Sequence, residues 1–258
     1  MSRDFTLITY KKIIQALIEN NYKVCSFLEY LNEKNSLSKI AILKHDIDRN
    51  PFNALKMAKI EKQMQVNATY YFRILPCSFH TEIIKKISSM RHEVGYHYED
   101  LTLAKGDYDK AIKLFAAHLG KFNEITTIKT ISMHGSPLSK WNNKHIWTKY
   151  DFKKFGIIGD PSFSIDYEEF VYLTDTGRKW NDEKSNLRDC MQSKLKIRIN
   201  NSFHLKKLIE NNEMPNKIMI NIHPQRWIDS YLPWIKELIF QNIKNIGKYL
   251  VKKIRKNG

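Results

Sequence analysis

The segment Ile40-Ala-Ile-Leu-Lys-His-Asp-Ile-Asp-Arg-Asn-Pro51 opens on an apolar run of strand length and closes on ionisable side chains. Ile40–Leu43 reads as a strand, His45, Asp46 and Asp48 lie just past it, and a helix opens near Pro51. A strand that ends in polar groups and hands over to a helix is the repeating unit of parallel α/β folds. In those folds the chemistry sits at the carboxyl ends of the strands.

The same alternation continues outward. Further strand candidates are Ala68–Ile74, Val94–Tyr98, Thr130–Met133, Phe155–Ile158, Phe170–Leu173 and Lys217–Ile222, and helical periodicity covers Asn53–Met64, Thr81–Met90, Tyr108–Leu119 and Phe203–Glu210. No Pro/Gly-rich linker, low-complexity segment or short repeat interrupts them. Seven β/α alternations therefore predict one α/β domain with parallel strands and outer helices, built as an open sheet or as a closed barrel. No GxGxxG or GxxxxGK[ST] follows any strand, which removes the usual nucleotide-binding reason for an open sheet and favours the barrel.

Composition sets the outer bounds. In 258 residues, 42% are hydrophobic and 12% aromatic, enough to close a core. No apolar run of about 18 residues occurs, and the opening MSRDFTLITYKKIIQAL lacks a signal-peptide core, so a cytoplasmic location is expected. Cys25, Cys77 and Cys190 are too few and too scattered for a disulfide scaffold or a CxxC metal knuckle, and are expected as buried thiols.

The net charge of +16 attracts nucleic acid, anionic lipid and acidic glycan alike. Without a zinc finger, helix-turn-helix or RNP-type aromatic motif, nucleic acid is not expected as a partner. Residues 229–258 are set apart from the barrel of residues 1–228 by their pattern. Leu232, Ile235, Ile239, Ile243, Ile246, Leu250 and Ile254 form one helical stripe, while Lys244, Lys248, Lys252, Lys253, Arg255 and Lys256 follow without an acidic residue. Two readings stand: a terminal helix packed on the domain with a solvated basic face, and a peripheral anchor on an anionic membrane. Trp227 and Trp234 read as anchors for this helix.

The residues just past each apolar run collect a constellation. They are His45, Asp46 and Asp48, then Arg73, His97 with Glu99, His134, Asp160, Asp175 with Arg178, and His223. Each alone has an ordinary loop or core explanation, but histidines and carboxylates converging on one barrel mouth suit a metal site of N and O ligands. Asp46 and Asp48, two apart on an extended strand end, point to one side. One of them can hold a metal while the other accepts a proton from water, and the plain alternative is an Asx-type cap for the following helix.

In order, LKHDID, NATYYF, RHEVGYHYED, ISMHGSP, YLTDTG and INIHP resemble the polysaccharide deacetylase family (nodulation-type deacetylases, carbohydrate esterase family 4). More closely, they resemble a divergent bacterial branch found with surface-polysaccharide biosynthesis of the O-antigen or capsule kind. The resemblance runs from about Lys44 to Trp227. It implies a distorted (β/α)7 barrel, one divalent metal, commonly zinc, and hydrolysis of an N-acetyl (or O-acetyl) group on a sugar, with an N-acetylated sugar expected here.

Carried over by motif, Asp46 is the general base, Asp48 and His97 are metal ligands, His223 is the general acid and Asp175 orients it. The family's second metal histidine falls on Leu101, a departure, and its Arg-x-Pro motif is replaced by SMHGSP. His134 from that motif is the favoured replacement ligand, with Glu99 or Asp100 as alternatives. Arg73, Glu99, Arg178 and Trp180 are candidates for substrate contact, through guanidinium forks and sugar stacking. The absence of an export signal points to an intracellular precursor, such as a lipid-linked glycan. The alternative is a non-catalytic carbohydrate-binding protein on the same fold with a degraded metal site.

Overall fold

The computed structural model describes residues 3–33, 38–181 and 197–257. In chain order the elements are α1 (Leu7–Glu19), β1 (Lys23–Cys25), α2 (Phe27–Glu33), β2 (Ile40–Ile47), α3 (Pro51–Gln63), β3 (Thr69–Phe72), α4 (Thr81–Ser89) and β4 (Glu93–Tyr98). They continue with α5 (Asp100–Leu103), α6 (Tyr108–Asn123), β5 (Ile131–Met133), α7 (Pro161–Ser164), β6 (Val171–Thr174), α8 (Ser202–Glu210), β7 (Lys217–Ile222) and α9 (Tyr231–Asn257).

Helix starts follow local chemistry. Thr6, Asp107, Asp160 and Asn201 each accept a backbone N–H in the first turn of α1, α6, α7 and α8. At α3 the cap position belongs to Asn50, in a left-handed conformation, with Pro51 at the first helical position. Asp46 and Asp48 are therefore left free of capping.

All strands pair in parallel, in the order β5-β4-β3-β2-β7-β6. β1 pairs with residues Ile40 to Ile42 of β2, below the stretch Lys44 to Ile47 that pairs with β3. Among the described residues β5 and β6 do not pair with each other. The sheet curls into a half-barrel with helices outside, an α/β fold consistent with a distorted (β/α) barrel.

The expected strand Phe155–Ile158 is not formed. A 3-10 turn at Phe152–Phe155 ends at Gly156 with φ of 75°, and only Gly159 bridges to Thr130. The seventh strand is instead β1, whose three residues are too few to show a strand period.

Strand alternation sorts the side chains. Ala41, Leu43, Tyr70, Val94, Tyr96, Ile218 and Ile220 turn outward into the core shared with the helices. Cys25, Ile40, Ile42, Tyr71, Tyr172 and Met219 fill the floor of the half-barrel. Gly95 is required there, because a Cβ at that position would lie 2.3 Å from the Tyr71 ring. Cys25 is buried as expected, but Cys77 is exposed on the loop after β3, and Cys190 lies outside the described residues. No described helix is long and apolar enough to cross a membrane.

Candidate active site

The inward face of β2 changes character along its length: Ile40 and Ile42 form floor, while Lys44 and Asp46 continue the same face upward. On β7 the sequence Met219, Asn221, His223 does the same, and on β4 Gly95 is followed by His97 and Glu99. Lys44, Asp46, His97 and His223 rise into a cleft of about 520 Å³ above the floor, which Asp48 and His134 also line, while Asn221 and Glu99 stay outside its lining.

Asp48 stands at the centre. Its Oδ1 lies 3.8 Å from Nε2 of His97 and 3.6 Å from Nε2 of His134, and its Oδ2 lies 4.0 Å from Nε2 of His223. The buried Oδ1 has no hydrogen-bond partner. Burial by itself would raise the Asp48 carboxyl's pKa, but the charges of His134, His223, His97 and Arg226 drive it far below the usual carboxylate range.

Both imidazoles are aimed from behind. Nδ1 of His97 lies 3.0 Å from the Ser132 carbonyl oxygen, and Nδ1 of His134 lies 2.9 Å from Oε2 of Glu99. A carbonyl and a carboxylate only accept, so Nδ1 carries a proton in each ring and Nε2 faces Asp48. Burial lowers the His97 pKa to about 4 against the opposing pull of Asp46, which keeps the ring neutral near neutral pH. Glu99 is itself fixed by Arg73, whose Nε and Nη2 fork onto it at 2.7 and 2.8 Å. Burial opposes ionisation of Glu99, but His134 and Arg73 hold its pKa at about 2.

Two further groups flank this set. Asp46 accepts from Lys44 Nζ at 2.7 Å and Asn221 Nδ2 at 2.9 Å, both on Oδ2, and its buried Oδ1 has no hydrogen-bond partner. Burial would raise its pKa, but His97, Lys44 and His223 bring it to about 2. Across the cleft, Nδ1 of His223 lies 2.6 Å from Oδ1 of Asp175. Asp175 is fully buried and also accepts from Arg226 at 2.6 Å and from the Trp227 indole at 2.7 Å.

The donor chemistry of Asp48, His97 and His134 fits a divalent cation. A buried carboxylate oxygen without a hydrogen bond faces two imidazole nitrogens, each ring backed by an acceptor. Among the described residues no three such groups are closed up into a formed centre. The 3.6 and 3.8 Å separations are a few tenths of an ångström wider than the ~3.3 Å edge implied by tetrahedral zinc bonds of ~2.0–2.1 Å.

Other sequence candidates lie elsewhere. Leu101 is buried in the helix-side core, and Asp100 turns to Tyr96 and His118. Glu99 lies behind His134 and does not line the cleft, whereas Arg73 does. Arg178 and Trp180, expected at the substrate, are both outside the cleft lining. The chain turns through left-handed conformations at Gly177, Arg178 and Asn181. Arg178 is thereby placed over the Trp234 ring, with Nη1 donating to the Trp234 carbonyl, and Trp180 is buried against Phe5 and Trp227. His45, next to Asp46, points to the helix side and pairs with Glu61 at 2.7 Å. Asp160 caps α7 and accepts from Tyr98.

Sequence reasoning missed Lys44, Ser132, Asn221, Gln225 and Arg226. Lys44 and Asn221 carried a signal, as polar residues at inward period-two positions of otherwise apolar strands.

No family model matches the chain, and no curated protein matches it. Among solved structures it is similar to a mutant of a family 4 carbohydrate esterase pseudoenzyme, at 13% identity and a TM-score of 0.43, over 82% of this chain and 63% of that one. It is also similar to a family 4 carbohydrate esterase from Bacillus anthracis, at 9% identity and a TM-score of 0.40, over 92% of this chain and 86% of that one. A third is the esterase domain of a multidomain xylanase from the hindgut metagenome of Trinervitermes trinervoides, at 13% identity and a TM-score of 0.39, over 81% and 85% of the two chains. The chain thus spans less than two thirds of the first of these structures.

Proposed function

We propose that this chain is a metal-dependent hydrolase that removes the acetyl group from an N-acetylated sugar in an intracellular precursor of a bacterial surface polysaccharide. The observation that carries the reading is the convergence of His97 and His134 on the unpartnered Oδ1 of Asp48, between Asp46 and the Asp175–His223 pair.

Asp48, His97 and His134 would hold the cation, with zinc the natural choice for two imidazoles and a carboxylate. When bound, a divalent cation polarises the acetyl carbonyl and acidifies water. Asp46 remains ionised near neutral pH, and its Oδ1 accepts the proton released as water attacks the carbonyl carbon. Lys44 and Asn221 occupy its other oxygen and so fix which oxygen does this. Asp175 holds Nδ1 of His223, and Nε2 delivers a proton to the sugar nitrogen as the C–N bond breaks, leaving acetate and a free amine. Arg226 and Trp227 clamp Asp175 and keep this pair from rotating.

A second reading, a sugar-binding protein without catalysis, is favoured by the buried Leu101 and by the incomplete closure of the ligand set. The test is elemental analysis of purified protein together with acetate release from N-acetylated amino sugars. The hydrolase reading expects about one metal per chain, lost in His97→Ala, and acetate release reduced ~10²- to 10⁴-fold in Asp46→Asn and in His223→Ala. Metal-free protein that binds the sugars and releases no acetate establishes the second reading.

A further inference from the structure

α9 packs on the domain through its polar face. Glu237 and Gln241 are buried, and Glu237 takes the Arg49 guanidinium at 2.6 and 2.9 Å. Asn245 donates to the Gly177 carbonyl, and Gln241, Lys244 and Lys248 line the cleft. At about 100° per residue, Leu232, Ile239, Ile243 and Ile246 fall on the opposite side. They stay 69%, 55%, 63% and 63% exposed, bordered by the exposed Tyr231 and Tyr249. A contiguous row of large aliphatic side chains facing water marks an interaction surface.

The charge of the chain selects its occupant. Beyond Glu237 the sequence has six Lys and Arg and no acidic residue, within a chain of net charge +16. A second copy would set two chains of net charge +16 against each other, whereas an anionic bilayer attracts that net charge and takes up the apolar row. Interfacial helices join an apolar face, a Lys-rich polar side and too little hydrophobicity to span, and no described helix here can span.

We propose that α9 lies in the interfacial plane of an anionic bilayer with Leu232, Ile239, Ile243 and Ile246 inserted. Its opposite face is a wall of the cleft, so docking holds the cleft about one helix diameter, ~10 Å, from the membrane surface. Resting on the hydrolase reading, this makes the substrate class an acetylated sugar carried on a lipid.

The test is co-sedimentation of the full chain with vesicles of phosphatidylglycerol and phosphatidylcholine, against phosphatidylcholine alone. The expected result is retention on the anionic vesicles, weakened about tenfold or more in Ile243→Glu/Ile246→Glu with an unchanged circular dichroism spectrum. Asp46→Asn sediments as wild type, so a failure of catalysis and a failure of docking are read separately. A milder pair, Ile243→Ala/Ile246→Ala, gives an intermediate loss. Absence of retention on anionic vesicles overturns the proposal. Equal retention of wild type and the Glu pair also overturns it, since charge alone then accounts for adsorption. A lipid-free dimer that the Glu pair converts to monomer assigns the face to a second copy and likewise overturns it.

Discussion

Nε2 of His134, at the end of β5, lies 3.6 Å from Oδ1 of Asp48, which follows β2, three strands away in the sheet order. The contact joins a histidine from an unorthodox motif to the oxygen that His97 also faces, at 3.8 Å. His134→Ala is therefore expected to abolish zinc binding as fully as His97→Ala. Glu99→Gln, which loosens His134 from behind, should weaken binding about 10- to 100-fold. Competition of the purified proteins with a zinc chelator measures both, and a His134→Ala protein with wild-type affinity would remove His134 from the ligand set.

Much of this arrangement was written in strand periodicity. The alternation Ile42, Lys44, Asp46 and the run His97, Glu99 place polar groups on an otherwise apolar inward face, and reading past each apolar run found Asp48, His134, Asp175 and His223. What failed was information that three-dimensional packing alone supplies. β1 is too short to show a period, and Phe155–Ile158 has strand composition but meets Gly156 in a left-handed turn. Arg178 and Trp180 follow a strand end in sequence, yet left-handed residues steer them to α9 and the core. The apolar stripe of α9 was legible, but which side packs on the domain depends on Arg49 and Gly177, distant in the chain.

Glu93 gives the chain a pH-dependent stability unrelated to catalysis. It lies beneath the floor, where burial raises its pKa from 4.5 to about 6 despite hydrogen bonds from Thr130, Thr69 and the Leu28 N–H. Below pH 4.5 the carboxyl is protonated in both folded and unfolded chains and contributes no difference. As pH rises from 4.5 to about 6 the unfolded chain ionises while the folded one keeps its proton, so the folded state loses about 2 kcal/mol, and the loss is complete above that range. Glu93→Gln should lack this loss. Urea unfolding of both proteins at pH 4.5 and pH 8 measures it, and a pH-independent difference between them would refute the assignment.

Gly95 should be intolerant of even one added carbon. A Cβ would meet Cδ1 and Cε1 of Tyr71 at 2.3 Å and the Thr130 carbonyl at 3.0 Å, with backbone on one side leaving little room to yield. The ring would have to move and give up the Tyr71–Thr130 hydrogen bond. Gly95→Ala is expected to cost about 1–3 kcal/mol, seen as a lower Tm. Combining it with Tyr71→Leu should cost less than the sum of the two changes, because the same ring is at issue in both. Strict additivity would show that the strain lies elsewhere.

Leu101 separates a rebuilt ligand set from a decayed one. It occupies the position where the resembling family carries its second metal histidine, but here its side chain is 1% exposed and packed in the helix-side core, outside the cleft lining. A histidine there would exchange apolar packing for a buried ring without an evident partner. Leu101→His is therefore expected to destabilise the fold by about 2–3 kcal/mol and to leave zinc affinity unchanged. His134→Ala/Leu101→His should bind no better than His134→Ala alone, because residue 101 faces away from Asp48. The opposite result, tighter zinc binding and new acetate release in Leu101→His, would mean that α5 can turn this position into the cleft. The native leucine would then be the lesion that silenced the site.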